Sequence, residues 1–381
     1  MKSYLLTFLC FIFFFTSSFS QTEYIEVNSS ILKQTRRIKV QLPRNYDSNE
    51  KEYPVIIVLD GDYLFEPFAG NVDYLSYWEI IPESIVVGIN QAGYRNKDGK
   101  LSPEEELPTT SGADFFEFIG LEVLKYMDDN YRTTPFSIIA GLDYMANFSN
   151  FYLLKQFPLF SGYIMLSPEV TPKLPERLKR KLDKIDQKIW YYLASSEEDV
   201  PSLKSKVKTL DSFLSICNNP NFNYQFKMFE AGDHYGFVAD AIPHSLLSIF
   251  STYGPISDEQ YESDFLTAES PSNALQDKYL TIQELYALEI PIRTRDFLRT
   301  VDAIEEKQLW DDYQRLSKLA KKEKPETVLY NYFLGRYFEL TGQPKRAIKE
   351  YESSYGLEAA GYLNSELLLN KADKLKGTFG Y

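Results

Sequence analysis

Three runs of apolar residues stand out along the chain: Val55-Ile56-Ile57-Val58-Leu59, Ile85-Val86-Val87-Gly88-Ile89 and Phe136-Ser137-Ile138-Ile139-Ala140. Each is short, rich in β-branched residues and closed by turn chemistry, such as Asp60-Gly61-Asp62 after the first and Gly141 after the third. Unbroken apolar runs of this length mark parallel strands covered on both faces. Gly162-Tyr163-Ile164-Met165-Leu166 and Lys188-Ile189-Trp190-Tyr191-Tyr192-Leu193 predict two more. Earlier, Glu26-Val27 and Arg37-Ile38-Lys39-Val40-Gln41-Leu42 alternate polar with apolar. That period predicts an antiparallel edge with one solvated face.

Between the strands the period changes. From Gly112 to Asn130, apolar side chains fall at Phe115, Phe118, Ile119, Val123, Leu124 and Met127, the spacing of an amphipathic helix. Val200 to Ile216 and Ala239 to Phe250 repeat it. Lys173 to Lys188, dense in Lys, Arg and Asp, predicts a solvated helix or loop face. Strand alternating with helix implies a doubly wound α/β sheet.

The pattern shifts near Gly254. Residues 254–275 hold Pro255, Asp258, Glu259, Glu262, Ser263, Asp264, Ser270, Pro271 and Ser272, and predict a polar linker. Residues 276–381 then predict an all-helical extension. Within it Leu334, Gly335, Phe338, Gly342, Ala347 and Tyr351 have the spacing of one tetratricopeptide-like repeat, over about residues 327–360. One repeat cannot bury its own face, so neighbouring helices around residues 276–322 and 362–375 are expected to pack against it.

The first twenty residues change the picture of where the protein works. Lys2, an apolar run from Leu5 to Phe15 and the small-residue stretch Ser17-Ser18-Phe19-Ser20 predict a secretory leader cleaved before Gln21. The run is too short for a permanent anchor, which needs roughly twenty residues. The expected product is soluble and exported, periplasmic or secreted from a bacterium. Its single remaining cysteine, Cys217, excludes an internal disulfide. The net charge is −13 over 381 residues, which argues against a nucleic-acid partner. Two histidines and the one cysteine left after the leader make a zinc site a poor expectation, and no glycine-rich phosphate loop is present. No cofactor is expected.

From Tyr53-Pro54 to His234 a series of pieces occurs in order: Val58-Leu59-Asp60-Gly61 before Tyr63-Leu64-Phe65, Gly88-Ile89-Asn90 with Arg95, and Ser111-Gly112-Ala113-Asp114-Phe115. Asp129-Asn130-Tyr131-Arg132-Thr133, Ile139-Ala140-Gly141, Phe160-Ser161-Gly162-Tyr163 and Leu166-Ser167-Pro168 complete the series. This stretch resembles the bacterial esterases of the siderophore-esterase-like group, so an α/β-hydrolase domain is expected over residues 21–253. The resemblance implies a nucleophile elbow of the form G-x-S-x-G after the third apolar run, with its serine lifted above the sheet beside a histidine. Here the elbow reads Gly141-Leu142-Asp143-Tyr144-Met145-Ala146. Asp143 stands in the serine position and Met145 in the second glycine position, which predicts a turn of changed geometry. His234, in Gly232-Asp233-His234-Tyr235-Gly236, matches the family's catalytic histidine, while His244 is expected to be a surface or packing residue. The acid of the triad would come from Glu197, Glu198 or Asp199. The oxyanion hole would use backbone N–H groups of Tyr144 and of the Gly61–Asp62 turn.

Carboxylates are poor nucleophiles towards ordinary esters. Haloalkane dehalogenases and epoxide hydrolases, which resemble this fold and use an aspartate on the elbow, also need a cap domain, and the 53 residues from Tyr144 to Ser196 are largely accounted for by core elements. The expectation is therefore an exported esterase-family protein impaired as a serine hydrolase, acting as a binding or scaffold protein of the cell envelope. An ester-like small molecule in the groove and a protein partner on the C-terminal helices are the expected ligands. The alternative is an active hydrolase with Asp143 as nucleophile.

Overall fold

The computed structural model describes residues 22–381, so the expected leader lies outside the described residues. Eight strands form one sheet: β1 Thr22–Ser29, β2 Gln34–Gln41, β3 Tyr53–Val58, β4 Ile85–Ile89, β5 Thr133–Leu142, β6 Gly162–Leu166, β7 Ile189–Ser196 and β8 Phe222–Phe229. Their order is β1-β2-β4-β3-β5-β6-β7-β8. β1 pairs antiparallel with β2 and β2 with β4, and every later pair is parallel. The burial follows the sequence pattern. All six residues of β3 are buried, whereas β1 alternates and exposes one face. β8 has no continuous apolar run, because Asn223, Gln225 and Lys227 alternate with its aromatics at the sheet's edge.

Helices α1 Phe65–Tyr77, α2 spanning residues 111–130, α3 Asp143–Leu153, α4 Leu174–Leu182, α5 Pro201–Leu214 and α6 Val238–Ile249 fill the crossovers. α2 contains a π-helical stretch at Phe118–Val123, and its Phe115, Phe118, Ile119, Val123 and Met127 are buried in the sheet's core cluster. The basic stretch after Lys173 becomes α4, with Leu174, Leu178 and Leu182 buried and its Lys and Arg side chains outward. This is an α/β-hydrolase-type sheet with an all-helical extension.

By its contacts the chain divides into two compact units. One holds the described residues through Tyr74 with Glu83–Thr133 and Ser137–Ser245; the other holds Leu75–Pro82, Thr134–Phe136 and Leu246–Tyr381. In the second unit follow α7 Pro271–Tyr286, α8 Thr294–Glu306, α9 Asp312–Glu323, α10 Leu329–Leu340, α11 Pro344–Glu352 and α12 Ser365–Phe379. Residues 254–275, expected as a polar linker, are folded. A helical turn at Asp258–Gln260 runs into a π-helix at Tyr261–Phe265, and both aromatics are buried in the helical core. The polar residues that suggested a linker are cap chemistry: Ser257 accepts from the Gln260 N–H, and Ser270 before Pro271 accepts from the Asn273 N–H.

The repeat-like spacing corresponds to the α10–α11 pair. A Cβ on Gly335 would lie 2.3 Å from the Tyr351 ring, so glycine is what lets that ring seat against α10. Ala347 and Tyr351 are fully buried in the contact, and Gly342 turns the chain at a φ of 73°. α9 packs on α10, α10 on α11 and α11 on α12, which covers the face one hairpin would leave open. Among the described residues no helix is long and apolar enough to cross a membrane.

Candidate functional site

The site begins where β5 ends. Leu142 is extended, and Asp143, the first residue of α3, takes a φ of 55°. A left-handed conformation costs a non-glycine residue about 1–2 kcal/mol, and aspartate tolerates it better than most. Gly141 makes the turn possible, since a Cβ there would lie 2.9 Å from the Ala146 nitrogen and the Met145 carbonyl carbon. Met145 does not change the turn as the sequence suggested. Its side chain is wholly buried in the sheet's core cluster, within 3.7 Å of Gln91 Nε2, and the elbow keeps its sharp strand-to-helix form.

The Asp143 carboxylate meets a cation. Arg95 Nη2 lies 3.6 Å from Asp143 Oδ2. The same guanidinium holds Asp60 through Nε at 2.8 Å and Nη2 at 3.0 Å, and reaches the Leu142 carbonyl at 3.3 Å. Asp60 is 1% exposed. Burial pushes its carboxyl above the usual carboxylate range, against the pull of Arg95. The turn that follows is tied to the end of β4. Asp60 N–H donates to Gln91 Oε1 at 2.9 Å, and Asp62 Oδ2 accepts from the backbone of Gln91 and Ala92 at 2.6 and 2.8 Å. The Gly61 N–H is engaged by the Ile89 carbonyl at 2.9 Å. Tyr144, whose N–H lies in the first turn of α3 with no helical carbonyl four residues back, donates its hydroxyl to the Gly99 carbonyl.

The second half of the site stands on the loops after β7 and β8. His234 Nδ1 lies 2.8 Å from Asp199 Oδ1. Asp199 is saturated: Oδ1 accepts from the Val200 N–H at 2.7 Å, and Oδ2 accepts from Ser167 Oγ at 2.5 Å and Ser195 Oγ at 2.7 Å. Burial alone would raise this carboxyl, but His234, the two serines and Val200 hold it down at about 2. The hydrogen bond to Asp199 raises the His234 imidazole above its ordinary value, burial opposes it, and the charges of Asp199 and Asp143 add to the rise.

Of the three acidic residues expected near the histidine, the structure brings Asp199 to it. Glu197 instead reaches Lys204 at 3.3 Å and Lys208 at 3.4 Å, and Glu198 is exposed. His244, on α6, faces Lys227 Nζ at 2.9 Å and has no part in the dyad. Ser167 and Ser195 have roles the sequence did not assign. Ser167 lies in the Leu-Ser-Pro stretch after β6 at a φ of 40°, a conformation that turns its hydroxyl to Asp199. The arrangement holds an imidazole in one orientation with its Nε2 edge free of that bond. No serine, threonine or cysteine stands on the elbow, and the one hydroxyl there, that of Tyr144, is turned to Gly99. No group of His, Cys, Asp and Glu side chains that could hold a metal ion occurs among the described residues.

The geometry has close counterparts among known folds. An uncharacterised protein from Capnocytophaga ochracea is 24% identical, with a TM-score of 0.83 over 94% of this chain and 100% of that one. An IroE-like serine hydrolase from Shewanella oneidensis is 19% identical, with a TM-score of 0.61 over 79% of this chain and 99% of that one. The siderophore hydrolase EstB from Aspergillus nidulans is 17% identical, with a TM-score of 0.52 over 61% of this chain and 96% of that one. At these identities the likeness establishes the fold. No curated protein matches the sequence. The sequence profile described as "Putative esterase" matches residues 29–265, more than half of the chain, and the chain belongs to that esterase family.

Proposed function

We propose that this protein has left serine-hydrolase chemistry and uses the esterase groove to bind an ester-like small molecule in the bacterial cell envelope. The observation that carries this reading is the Asp143 carboxylate on the elbow, 3.6 Å from Arg95 and beside a complete His234–Asp199 dyad. A serine hydrolase needs a neutral imidazole to take the proton of an uncharged hydroxyl. An ionised Asp143 has no proton to give. The negative charges of Asp199 and Asp143 both favour the protonated ring, which depletes the base. The pairing with Arg95 further lowers the reactivity of an already weak nucleophile.

Of the backbone donors expected to form the oxyanion hole, Gly61's is engaged by Ile89. A ligand carbonyl would therefore be held by the N–H groups of Asp62 and Tyr144. Residues 144–196 are taken up by α3, β6, α4 and β7, so there is no cap of the kind that aspartate-based dehalogenases use. Export rests on the leader pattern of residues 1–20, and a mature N-terminus at Gln21 is its direct test. No turnover of nitrophenyl esters and no labelling by fluorophosphonates are expected; turnover that His234→Ala abolishes would contradict this proposal.

A second reading has one observation in its favour, the retention of a strained elbow together with an intact dyad. In it Asp143 attacks a carbon bearing a leaving group and forms an enzyme ester, and a water activated by His234 hydrolyses that ester and regenerates the carboxylate. A covalent adduct on Asp143 seen by mass spectrometry would support it, and an unchanged rate in Asp143→Asn would remove it.

A further inference from the structure

The helical unit carries a cavity of about 1320 Å3, above the roughly 300–1000 Å3 of clefts that hold single small ligands. Phe265, Leu309 and Trp310 give it an apolar wall. Glu269, Asp277 and Asp311 stand exposed on its rim, on three different segments, and no ion pair or side-chain hydrogen bond engages these carboxylates among the described residues. Neighbouring Asp312 differs, because Ser270 Oγ at 2.5 Å and the Ser272 N–H at 2.8 Å hold it in the fold. The rim carboxylates do not converge as metal ligands.

Inside the cavity lies Lys278, 6% exposed. Its ammonium donates to Gln260 Oε1 at 3.0 Å and to the Thr252 carbonyl at 3.2 Å, with no carboxylate in ion-pair reach among the described residues. Burial draws it down to about 8. An ammonium has three donors, so one remains for an oxygen that enters the cavity.

We infer that this cavity binds an extended basic peptide segment. Its Lys or Arg side chains sit on Glu269, Asp277 and Asp311, an apolar side chain lies against Trp310, and a backbone carbonyl accepts from Lys278. The separate carboxylates favour a chain that carries several cations at intervals over one compact cation, and together with Asp264 they outnumber the two cations of the lining, Lys278 and Arg315. The site is independent of Asp143 and His234.

Fluorescence anisotropy of the whole chain with a labelled peptide alternating Lys and Leu tests it. Saturable binding is expected that weakens with salt. The triple variant Glu269→Gln, Asp277→Asn, Asp311→Asn is expected to bind at least about tenfold more weakly, while Asp143→Ser binds as the parent does. Asp277→Lys alone, at an exposed position, is expected to weaken binding several-fold and decides the matter if the triple variant does not fold. Parental affinity in the charge variants, equal binding of a Glu–Leu peptide, absence of saturation, or displacement by equimolar spermidine would each overturn the assignment.

Discussion

Arg95 stands between two carboxylates, holding buried Asp60 with two hydrogen bonds while its Nη2 lies 3.6 Å from Asp143. One cation therefore anchors the turn after β3 and faces the residue on the elbow after β5. Replacing it leaves Asp60, 1% exposed, without a counter-charge. Arg95→Met is expected to destabilise the fold by about 3–5 kcal/mol in denaturant titrations, the cost of breaking a buried pair from one side. Arg95→Lys should restore only part of it, because an ammonium lacks the planar fork that meets both Asp60 oxygens. A loss below about 1 kcal/mol in Arg95→Met would show that the pair is not structural.

The dyad titrates in a stated direction. Asp199 is held at about 2, so its contribution to stability is present above the ordinary carboxylate value and is lost as pH falls through about 2. His234 is raised, so its contribution is complete below the ordinary imidazole value and is lost as pH rises through the raised one. Between those limits both groups are charged and the pair is at full strength. NMR titration of the His234 ring should show its pKa fall in Asp143→Asn, which removes one nearby negative charge, and fall further in Asp199→Asn. Asp199→Asn should also cost roughly 1.5–3 kcal/mol of stability near neutral pH. A His234 pKa that does not move in Asp143→Asn would mean that the elbow carboxylate does not act on the ring.

Met145 is a core residue. Reverting it to the glycine of the family pattern would empty a fully buried site and place glycine inside α3. Met145→Gly is expected to cost about 3–5 kcal/mol, seen as a lowered thermal midpoint. A reversion aimed at chemistry should therefore change Asp143 alone. A neutral Met145→Gly would imply that the side chain is not packed as described.

In the helical unit, Gly335→Ala would put a methyl 2.3 Å from the Tyr351 ring. The ring cannot withdraw without breaking its 2.6 Å hydrogen bond to Glu339. Overpacking of about 1–3 kcal/mol is expected despite alanine's better helix propensity. A stabilised variant would contradict the close α10–α11 contact.

The parallel strands β3 to β7 were legible because burial on both faces writes itself as unbroken apolar runs. β8 was not, since as an edge strand it alternates Phe222, Tyr224 and Phe226 with polar residues. Residues 254–275 were misleading for a similar reason: Ser and Pro suit a linker and a helix cap equally well, and only Tyr261 and Phe265 marked a buried element. At the site, Asp143 and His234 could be found from local motifs. The choice among Glu197, Glu198 and Asp199 could not, because three consecutive acids differ only in which one the loop turns inward. Arg95's pairing with Asp60 and the serine shell of Asp199 join residues far apart in the chain, and no local pattern encodes them.

We propose that Asp143 alone separates this site from a working serine hydrolase. The most direct measurement is the kcat/KM for a panel of nitrophenyl esters in the parent chain, in Asp143→Ser and in Asp143→Ser with His234→Ala. Background rates are expected in the parent, a gain in Asp143→Ser, and loss of that gain when His234 is removed. Turnover by the parent that disappears in His234→Ala would contradict this proposal.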